Sequence, residues 1–381
     1  MARMTNNCSA TTLVDVTILE HRLRARKQGS RQHKCHIVRR ACMHRRQVHL
    51  DGPLPPSLSS MRVRGVHVGF EISRIGALGL FVQRNSTSSP PASYSKCVPL
   101  MWWPLWGFNI GEYWQNSVLP IAEMQTAGVI DRDIMLTPEV GGWPLRDYHT
   151  GMLSPFTRHA VRTTGQLAPK CTAERTCPPP RCFERMLVCK FRDVYDGQPP
   201  VAPWSAARAV VAAMRSPQRT PVVAAASDVR SAFVVLFASR AAAKNGARQI
   251  TNEAQLLQLC NQWSPPPACV GPGRAPGLRA RCELRAFGRR GFRRDVEAVQ
   301  SADVLVGTHG AALVHAIFMQ LGAALLEVRP FGFVGKWPDQ YHVQMARAEN
   351  EVRPRHARHA HAHHAHTTHT PRMPQMTRLR C

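Results

Sequence analysis

The stretch that decides the fold is Val304-Leu-Val-Gly-Thr-His-Gly-Ala-Ala-Leu-Val-His315. Its aliphatic start predicts a buried strand that stops at a glycine, and small residues then lead into a helix. Small residues let the backbone approach a ligand, while a helix start offers unpaired N–H groups and a positive dipole end. This geometry suits a phosphate, and a glycine turn without a ligand is the alternative. The candidate phosphate-binding residues are Gly307, Thr308, His309, Gly310 and Ala311.

Strands and helices alternate on both sides of this unit. The predicted strands are Phe233–Ser239, Cys282–Phe287, Asp303–Val306 and Ala323–Val328. The predicted helices are Asn252–Gln262 (capped by Thr251), Asp295–Ser301 and Ala311–Gln320. Such alternation predicts a C-terminal α/β domain, over residues 222–352, with a parallel sheet covered by helices on both faces.

Three charged side chains follow strands of this predicted sheet. Glu327 lies at a strand end, where acidic residues accept hydrogen bonds from ribose hydroxyls in nucleotide folds; a surface acid is the alternative. Arg240 and Arg248 follow the first strand and suit phosphate oxygens, unless they are solvated loop arginines. Because the carboxyl ends of parallel strands meet at one sheet edge, all three are expected to share a cleft with the glycine loop.

The N-terminal half also alternates between strand and helix patterns, over residues 65–196. The predicted strands are Val66–Phe70, Leu78–Val82, Ile134–Leu136 and Arg185–Lys190. One amphipathic helix is predicted over Asn109–Ala127, with a kink or restart at Pro120 and an end at Gly128. The prolines of residues 197–221 indicate a linker between two domains.

The net charge of +26 is concentrated at the two ends of the chain. Residues 1–64 carry 13 Lys and Arg against 3 acids, and residues 353–381 carry 6 Arg without an acid. Both segments lack sustained periodicity, and the second holds a His/Ala tract, so disordered segments are expected. Neither interleaves its charges with aromatic side chains, as a base-stacking surface would. Nucleic-acid binding is therefore not expected.

The cysteines and the hydropathy pattern bear on the cellular compartment. Four of the 12 cysteines lie close together, at Cys171, Cys177, Cys182 and Cys189, which favours disulfides in an oxidising compartment over the alternative of buried free thiols. Asn7 and Asn85 begin N-glycosylation sequons. No apolar run is as long as the roughly 18 residues of a membrane span, and no signal peptide is visible, so no transmembrane helix is predicted.

Several of these segments resemble the motifs of glycosyltransferase family 61. Val304–Phe318 is similar to the family's D-V-L-x-G-x-H-G-A-G-L-x-x-x-x-F signature. Ser239–Glu253 resembles its S-R-x(n)-R-x-I-x-N-E segment, Leu326–Pro330 its V-x-E-x-x-P strand, and Asn109–Pro120 its N-x-G-H…L-P helix. That family includes plant xylan xylosyl- and arabinosyltransferases and extracellular protein O-linked N-acetylglucosaminyltransferases of animals.

This resemblance implies a GT-B type fold, in which two Rossmann-like domains face a cleft. The N-terminal domain would hold a glycan or glycoprotein acceptor, and the C-terminal domain a UDP-sugar donor. The implied reaction is inverting transfer to a hydroxyl, with no metal, in the lumen of the Golgi or endoplasmic reticulum. In that reaction Arg240, Arg248, His309 and the loop amides would stabilise the leaving diphosphate, and Glu327 would orient the ribose.

Two departures from the family pattern concern activity. Ala312 stands where the family has a glycine, and Glu112, a candidate general base, stands where it has a histidine. Glu112 and His309 are the candidate catalytic residues. A catalytically degenerate binding protein is therefore one alternative, and a basic nucleic-acid-binding protein is a weaker one. Asp131-Arg-Asp133 has the D-x-D form of a manganese site, but its place between a helix and a strand predicts a turn.

Overall fold

The structure is a computed structural model. It describes residues 34–64, 72–74, 80–83, 93–104, 106–140, 144–168, 179–191, 204–215, 232–240, 248–264 and 278–329. Several expectations lie outside these described residues: those for residues 1–33, 66–70 and 353–381, for the sequons at Asn7 and Asn85, and for Cys171 and Cys177.

The N-terminal half is built on a six-stranded mixed sheet with the strand order β5-β2-β1-β8-β6-β7. Its strands are β1 (Lys34–His44), β2 (Gln47–Leu50), β5 (Phe81–Gln83), β6 (Val98–Trp102), β7 (Ile134–Pro138) and β8 (Arg181–Lys190), and β3 (Arg62–Arg64) and β4 (Ile72–Arg74) pair separately. β6 runs parallel to β7 and β8, whereas β1 runs antiparallel to β2 and β8. This arrangement differs from the parallel sheet expected of a Rossmann-like domain.

The prediction that residues 1–64 are disordered is wrong for residues 34–64, which form β1, β2, the short helix α1 (Pro56–Ser59) and β3. Arg39, Arg40, Arg45 and Arg46 are exposed, whereas the apolar residues of the same segment pack into a core beneath the sheet. The segment therefore folds because its charges occupy solvent-facing positions and a turn, which leaves an apolar face to bury.

Two disulfides join β1 to β8. Cys35 pairs with Cys189 and Cys42 with Cys182, and each pair is directly opposite in the antiparallel register. Each cysteine among the described residues is disulfide-bonded, so the alternative of buried free thiols is wrong for them. Cross-links between residues so distant in sequence restrict the unfolded chain and fix the N-terminal strand in the sheet.

A long buried helix follows β6. It consists of α2 (Ile110–Tyr113), a π-helical turn (Trp114–Val118) and α3 (Leu119–Thr126). Pro120 lies in the first turn of α3, directly after the π-helical turn, where its missing N–H breaks no helical hydrogen bond. The backbone stays helical through Val118 and Leu119, so the helix continues where a kink or restart is predicted. Gly128, with φ of +67°, ends the helix as predicted. The predicted amphipathicity is wrong, since nearly every residue from Gly111 to Met124 is buried.

The proline-rich segment 197–221 contains a packed helix, α6 (Trp204–Met214), so its prediction as a linker is wrong over these residues. Ala206, Ala207, Val210 and Val211 recur at helical spacing and are buried in the main core. That core also receives residues from both sheets and from α4 (Asp147–Leu153). Two shorter elements, a 3₁₀ turn (Ser154–Phe156) and α5 (Thr164–Leu167), complete this half.

The C-terminal half is a parallel sheet, as predicted, and its four strands have the order β10-β9-β11-β12. Its elements are β9 (Ala232–Ala238), α7 (Glu253–Gln262), β10 (Arg279–Arg285), α8 (Phe292–Ser301), β11 (Val304–Thr308), a 3₁₀ helix (Ala311–Phe318) and β12 (Ala324–Val328). Leu236 of β9 faces the main core and Val235 faces a second cluster that includes residues of α7, so both faces are covered. The cap predicted at Thr251 is wrong, because Asn252 occupies the N-cap position.

The described part of the chain contains no helix with both the length and the apolar character needed to cross a bilayer. Both halves contribute residues to the main core, and α2 contacts the 3₁₀ helix directly. The N-terminal half is therefore packed against the half that contains the parallel sheet.

Candidate functional site

The loop after β11 lies at the carboxyl end of the parallel sheet. Gly307, the next-to-last residue of β11, is in register with Ala238 of β9 on one side and Glu327 of β12 on the other. A Cβ atom at Gly307 would lie 2.9 Å from both Ala238 Cβ and Leu313 Cδ2. Glycine is therefore required here because the strand and the following helix approach each other too closely for a side chain.

His309, in the middle of the loop, is buried and pairs with Glu327 through its Nδ1 atom. The backbone N–H of His309 donates to the carbonyl of Val328 at 3.0 Å, which extends the β11–β12 pairing beyond the last strand residue. Arg329 Nε donates to the other carboxylate oxygen of Glu327 at 3.3 Å. The Glu327 side chain is 8 % exposed. Through its two carboxylate oxygens it links the loop histidine to an arginine at the same sheet edge.

Arg248 is connected to the same loop by two hydrogen bonds. Its Nη1 donates to the backbone carbonyl of His309 at 3.0 Å, and its own carbonyl accepts from Thr308 Oγ1 at 2.7 Å. Its backbone has φ of +58°, a region that an L-residue with a side chain seldom adopts. These bonds hold a strained residue in place directly beside the loop.

Arg240, which follows β9, packs its guanidinium against Gly310, in the space that a Cβ atom would occupy. Burial, and then the nearby positive charge of Arg248, lowers the pKa of Arg240 below its ordinary value. Its Nε atom is buried and has no hydrogen-bond partner within the described part of the chain. Two guanidinium groups therefore lie close together with at least one buried donor unsatisfied.

The helix after the loop is a 3₁₀ helix, with Gly310 at its N-cap position. The N–H of Leu313 donates to the carbonyl of Gly310 at 3.0 Å, so the N–H groups that have no acceptor inside the helix are those of Ala311 and Ala312. Ala312, where the resemblance places glycine, packs its methyl group against the main core. The core therefore accommodates an alanine at the position where the family has a glycine.

Glu112 lies on α2, in the element that contacts the 3₁₀ helix. It is 4 % exposed, and its Oε2 accepts a hydrogen bond from Asn116 Nδ2 at 3.0 Å. Asn109 Oδ1 accepts from the N–H of Glu112 at 3.3 Å and from that of Gly111 at 2.9 Å, so it caps this helix. The carboxylate predicted as a general base is thus buried within its own helix.

The D-x-D segment forms a turn, as predicted. Asp131 Oδ1 accepts from the backbone N–H of Asp133 at 2.8 Å, and Asp133 pairs with Arg158 at 3.0 Å. Within the residues that the structure describes, no three or more His, Cys, Asp or Glu side chains are grouped as they would be to hold a metal ion.

All of the candidate donor residues from the sequence therefore lie at one edge of the sheet, whereas the candidate base Glu112 lies on a neighbouring buried helix. Sequence reasoning missed two contributors. Ser239 Oγ donates to Glu253 Oε2 at 2.7 Å and ties the start of the Arg240 segment to α7. Arg329 completes the Glu327 pair. Ser239 and Glu253 are both fixed positions of the S-R…N-E segment, so the sequence motif could have indicated their contact. No sequence motif pointed to Arg329.

Comparison with known proteins agrees with this geometry. The family described as Glycosyltransferase 61 matches residues 134–326, which include β7 to β11 and the first three residues of β12. The chain belongs to this family of glycosyltransferases. Its expected partners are accordingly a sugar donor and a glycan acceptor. None of the curated proteins matches the sequence.

Proposed function

We propose that this chain transfers a sugar from a UDP-sugar to a hydroxyl group of a glycan or glycoprotein, with inversion at the anomeric carbon. The acceptor oxygen forms a bond to that carbon as the bond to the diphosphate breaks, and the hydroxyl proton passes to a base. The reaction thus needs a group that stabilises the leaving diphosphate and a group that accepts a proton.

The arrangement of Arg240 and Arg248 carries this proposal. Two like charges repel, and a buried donor without a partner costs about 1–3 kcal/mol, so their convergence is unfavourable in the ligand-free protein. A diphosphate removes both penalties, because it supplies negative charge and hydrogen-bond acceptors. The first N–H groups of the 3₁₀ helix are further donors for it, and the lack of a side chain at Gly310 lets the Arg240 guanidinium reach the loop.

His309 is proposed to contact the leaving diphosphate, and Glu327 is proposed as its positioning residue. Because Nδ1 of the ring is engaged by the carboxylate, the ring is fixed in orientation and meets the donor through Nε2. Arg329 in turn fixes the carboxylate. The ribose contact expected of Glu327 stays a prediction.

The positive charge is proposed to come from the two arginines instead of a metal ion, so activity should persist in a chelator. The disulfides between β1 and β8 support folding in the oxidising lumen of the secretory pathway, where Golgi or endoplasmic reticulum acceptors are found.

A second candidate function is a family member that binds a sugar nucleotide or glycan without transferring sugar. The burial of Glu112 and its bond to Asn116 favour this candidate, because a general base has to reach the acceptor hydroxyl. If Glu112 is not the base, the chain needs another base for transfer, because inversion places the acceptor hydroxyl on the face of the anomeric carbon opposite the diphosphate that His309 is proposed to contact.

Calorimetry and a transfer assay distinguish these functions. UDP should bind at least about tenfold more tightly than uridine, because the diphosphate contacts the arginines. A panel of UDP-sugars incubated with oligosaccharide acceptors should then release UDP in the presence of a chelator, with inversion checked by NMR of the product. UDP that binds no better than uridine contradicts the donor site, and tight binding without release of UDP supports the binding protein.

A further inference from the structure

Two aromatic side chains are exposed next to each other on the loop that follows β6. Trp106 is 40 % exposed and Phe108 is 46 % exposed, and their ring centroids are 5.8 Å apart with the planes tilted by 37°. The other large, exposed hydrophobic side chains of the described residues all belong to the C-terminal half, from Leu259 onward. The two rings therefore form an isolated patch, which we call the aromatic pair.

Three hydrogen bonds hold the loop of the aromatic pair. The N–H of Asn109 donates to the carbonyl of Trp106 at 2.8 Å and closes a turn. The carbonyl of Gly107 accepts from Tyr148 Oη at 2.7 Å and from His149 Nε2 at 2.6 Å. The histidine donates here because its Nδ1 already accepts from the backbone N–H of Arg146 at 2.8 Å. The rings are thus presented by a rigid loop.

The backbone at Trp106 is strained. Its φ of +52° lies in the left-handed region, which costs a bulky residue roughly 1–2 kcal/mol. Asparagine or glycine would adopt this conformation more easily, and a polar side chain would avoid exposing a large ring. Strain and exposure together at one residue indicate that the ring has a role other than stability.

The aromatic pair is connected to the 3₁₀ helix of the proposed donor site through the long buried helix. Its loop extends from the carboxyl end of β6 to Asn109, the cap of the long buried helix. That helix contacts the 3₁₀ helix, and Trp114 packs edge-on against Phe318 with ring centroids 5.5 Å apart. The 3₁₀ helix begins at Gly310 in the donor loop. The aromatic pair is therefore on the half of the molecule expected to hold the acceptor.

We propose that Trp106 and Phe108 form a stacking platform for a neutral sugar ring of the acceptor glycan, an inference that rests on the proposed transferase function. One face of such a ring presents C–H groups, which pack on an aromatic face, while its hydroxyls remain at the edge for water or polar side chains. Two rings are far less than the roughly 800 Å² per partner that a stable protein interface buries, so a sugar fits better than a second copy of this chain.

Calorimetric titration with hexasaccharides tests the platform. The probes are β-1,4-linked oligomers of xylose, glucose, mannose and N-acetylglucosamine, and UDP is titrated separately. Trp106→Asn removes the ring but tolerates the backbone conformation, Trp106→Phe keeps a ring, and Phe108→Ala removes the second one. Trp263→Ala, on the C-terminal half at 38 % exposure, is the matched control.

The wild type should bind at least one hexasaccharide, and Trp106→Asn should weaken that binding about tenfold or more. Phe108→Ala should weaken it less, Trp106→Phe should restore part of it, and Trp263→Ala should not change it. UDP affinity should be the same in all variants.

Equal affinities for the sugar in wild type and Trp106→Asn, or a wild type that binds none of the sugars, overturns the platform. A wild-type dimer that Trp106→Asn converts to monomer also overturns it. Loss of UDP binding alone contradicts the transferase function and not the platform.

Discussion

Arg248 donates a 3.0 Å hydrogen bond through its guanidinium to the backbone carbonyl of His309, from a segment that lies far away in sequence. Thr308 returns a 2.7 Å hydrogen bond to the carbonyl of Arg248. The side chain proposed to bind the diphosphate thus also fixes the loop that surrounds it, so ligand binding and loop geometry depend on one residue.

Arg248→Ala should therefore affect both binding and stability. It removes a charged phosphate contact, which should weaken UDP binding about 10- to 100-fold in calorimetry. It also removes the bond to the His309 carbonyl, which should lower the free energy of unfolding by about 1 kcal/mol in denaturant titration. Arg281→Ala, an exposed arginine paired with Glu283, is the control and should change neither quantity. Unchanged UDP affinity would remove Arg248 from the site.

Arg240→Met should abolish UDP binding without lowering the stability of the protein, unlike Arg248→Ala, which should weaken both. Methionine removes one of two neighbouring charges and the unsatisfied Nε donor, while it keeps an unbranched side chain against Gly310. The ligand-free variant should be as stable as the wild type or more stable, by up to about 1 kcal/mol, yet UDP should no longer raise its Tm. A variant that is clearly less stable and still stabilised by UDP would show that the Arg240 side chain is structural.

The donor edge was predictable from the sequence because its signals are local. A run of aliphatic residues followed by Gly307 and Gly310 predicts a strand, a tight loop and a helix start without reference to the rest of the chain. Parallel topology then brings the ends of β9, β11 and β12 to one edge. The candidate site residues could be placed together at one sheet edge for this reason.

What the sequence did not reveal depends on pairings between distant residues. β1 is a strand because β8 pairs with it, and the cysteines that join the two lie 154 and 140 residues apart. The basic composition of the N-terminal segment concealed this pairing. Likewise, the His309–Glu327 pair depends on the register of two neighbouring strands, which periodicity does not specify.

Glu327→Gln tests the positioning role of this carboxylate. Glutamine is similar in shape but carries no charge to pair with His309 and Arg329, so the histidine ring should be held less firmly. In a transfer assay kcat should fall about 10- to 100-fold, while KM for the UDP-sugar changes little. Glu283→Gln, on an exposed ion pair, is the control. A rise in KM with unchanged kcat would instead indicate the ribose contact.

Gly307→Ala tests the close approach between the strand and the 3₁₀ helix. The new methyl group would lie 2.9 Å from Ala238 Cβ and Leu313 Cδ2, so the helix has to shift. We expect a loss of about 1–3 kcal/mol in the free energy of unfolding together with weaker UDP binding. Gly52→Ala is the matched control, because nothing lies within 4 Å of its added methyl group. Equal stabilities of the two variants would contradict the packing described here.

His149 should make the protein less stable as the pH falls below about 6.5. Burial lowers the pKa of His149 from 6.5 to about 4, despite its hydrogen bond to the carbonyl of Gly107. Between these two values the unfolded chain binds a proton that the folded chain excludes, so stability is complete above pH 6.5 and falls toward pH 4. The loss should reach about 3 kcal/mol at most.

The buried His315 also has a lowered pKa, caused first by burial, so it acts in the same direction and the effect of His149 has to be isolated by substitution. His149→Gln preserves an acceptor for the N–H of Arg146 at the start of α4 but does not titrate. Denaturant titrations from pH 7 to pH 4 should therefore show a shallower decline in this variant than in the wild type, even if it is less stable at pH 7. Parallel declines would mean that His149 is protonated equally in the folded and unfolded chains, and that its burial does not exclude the proton.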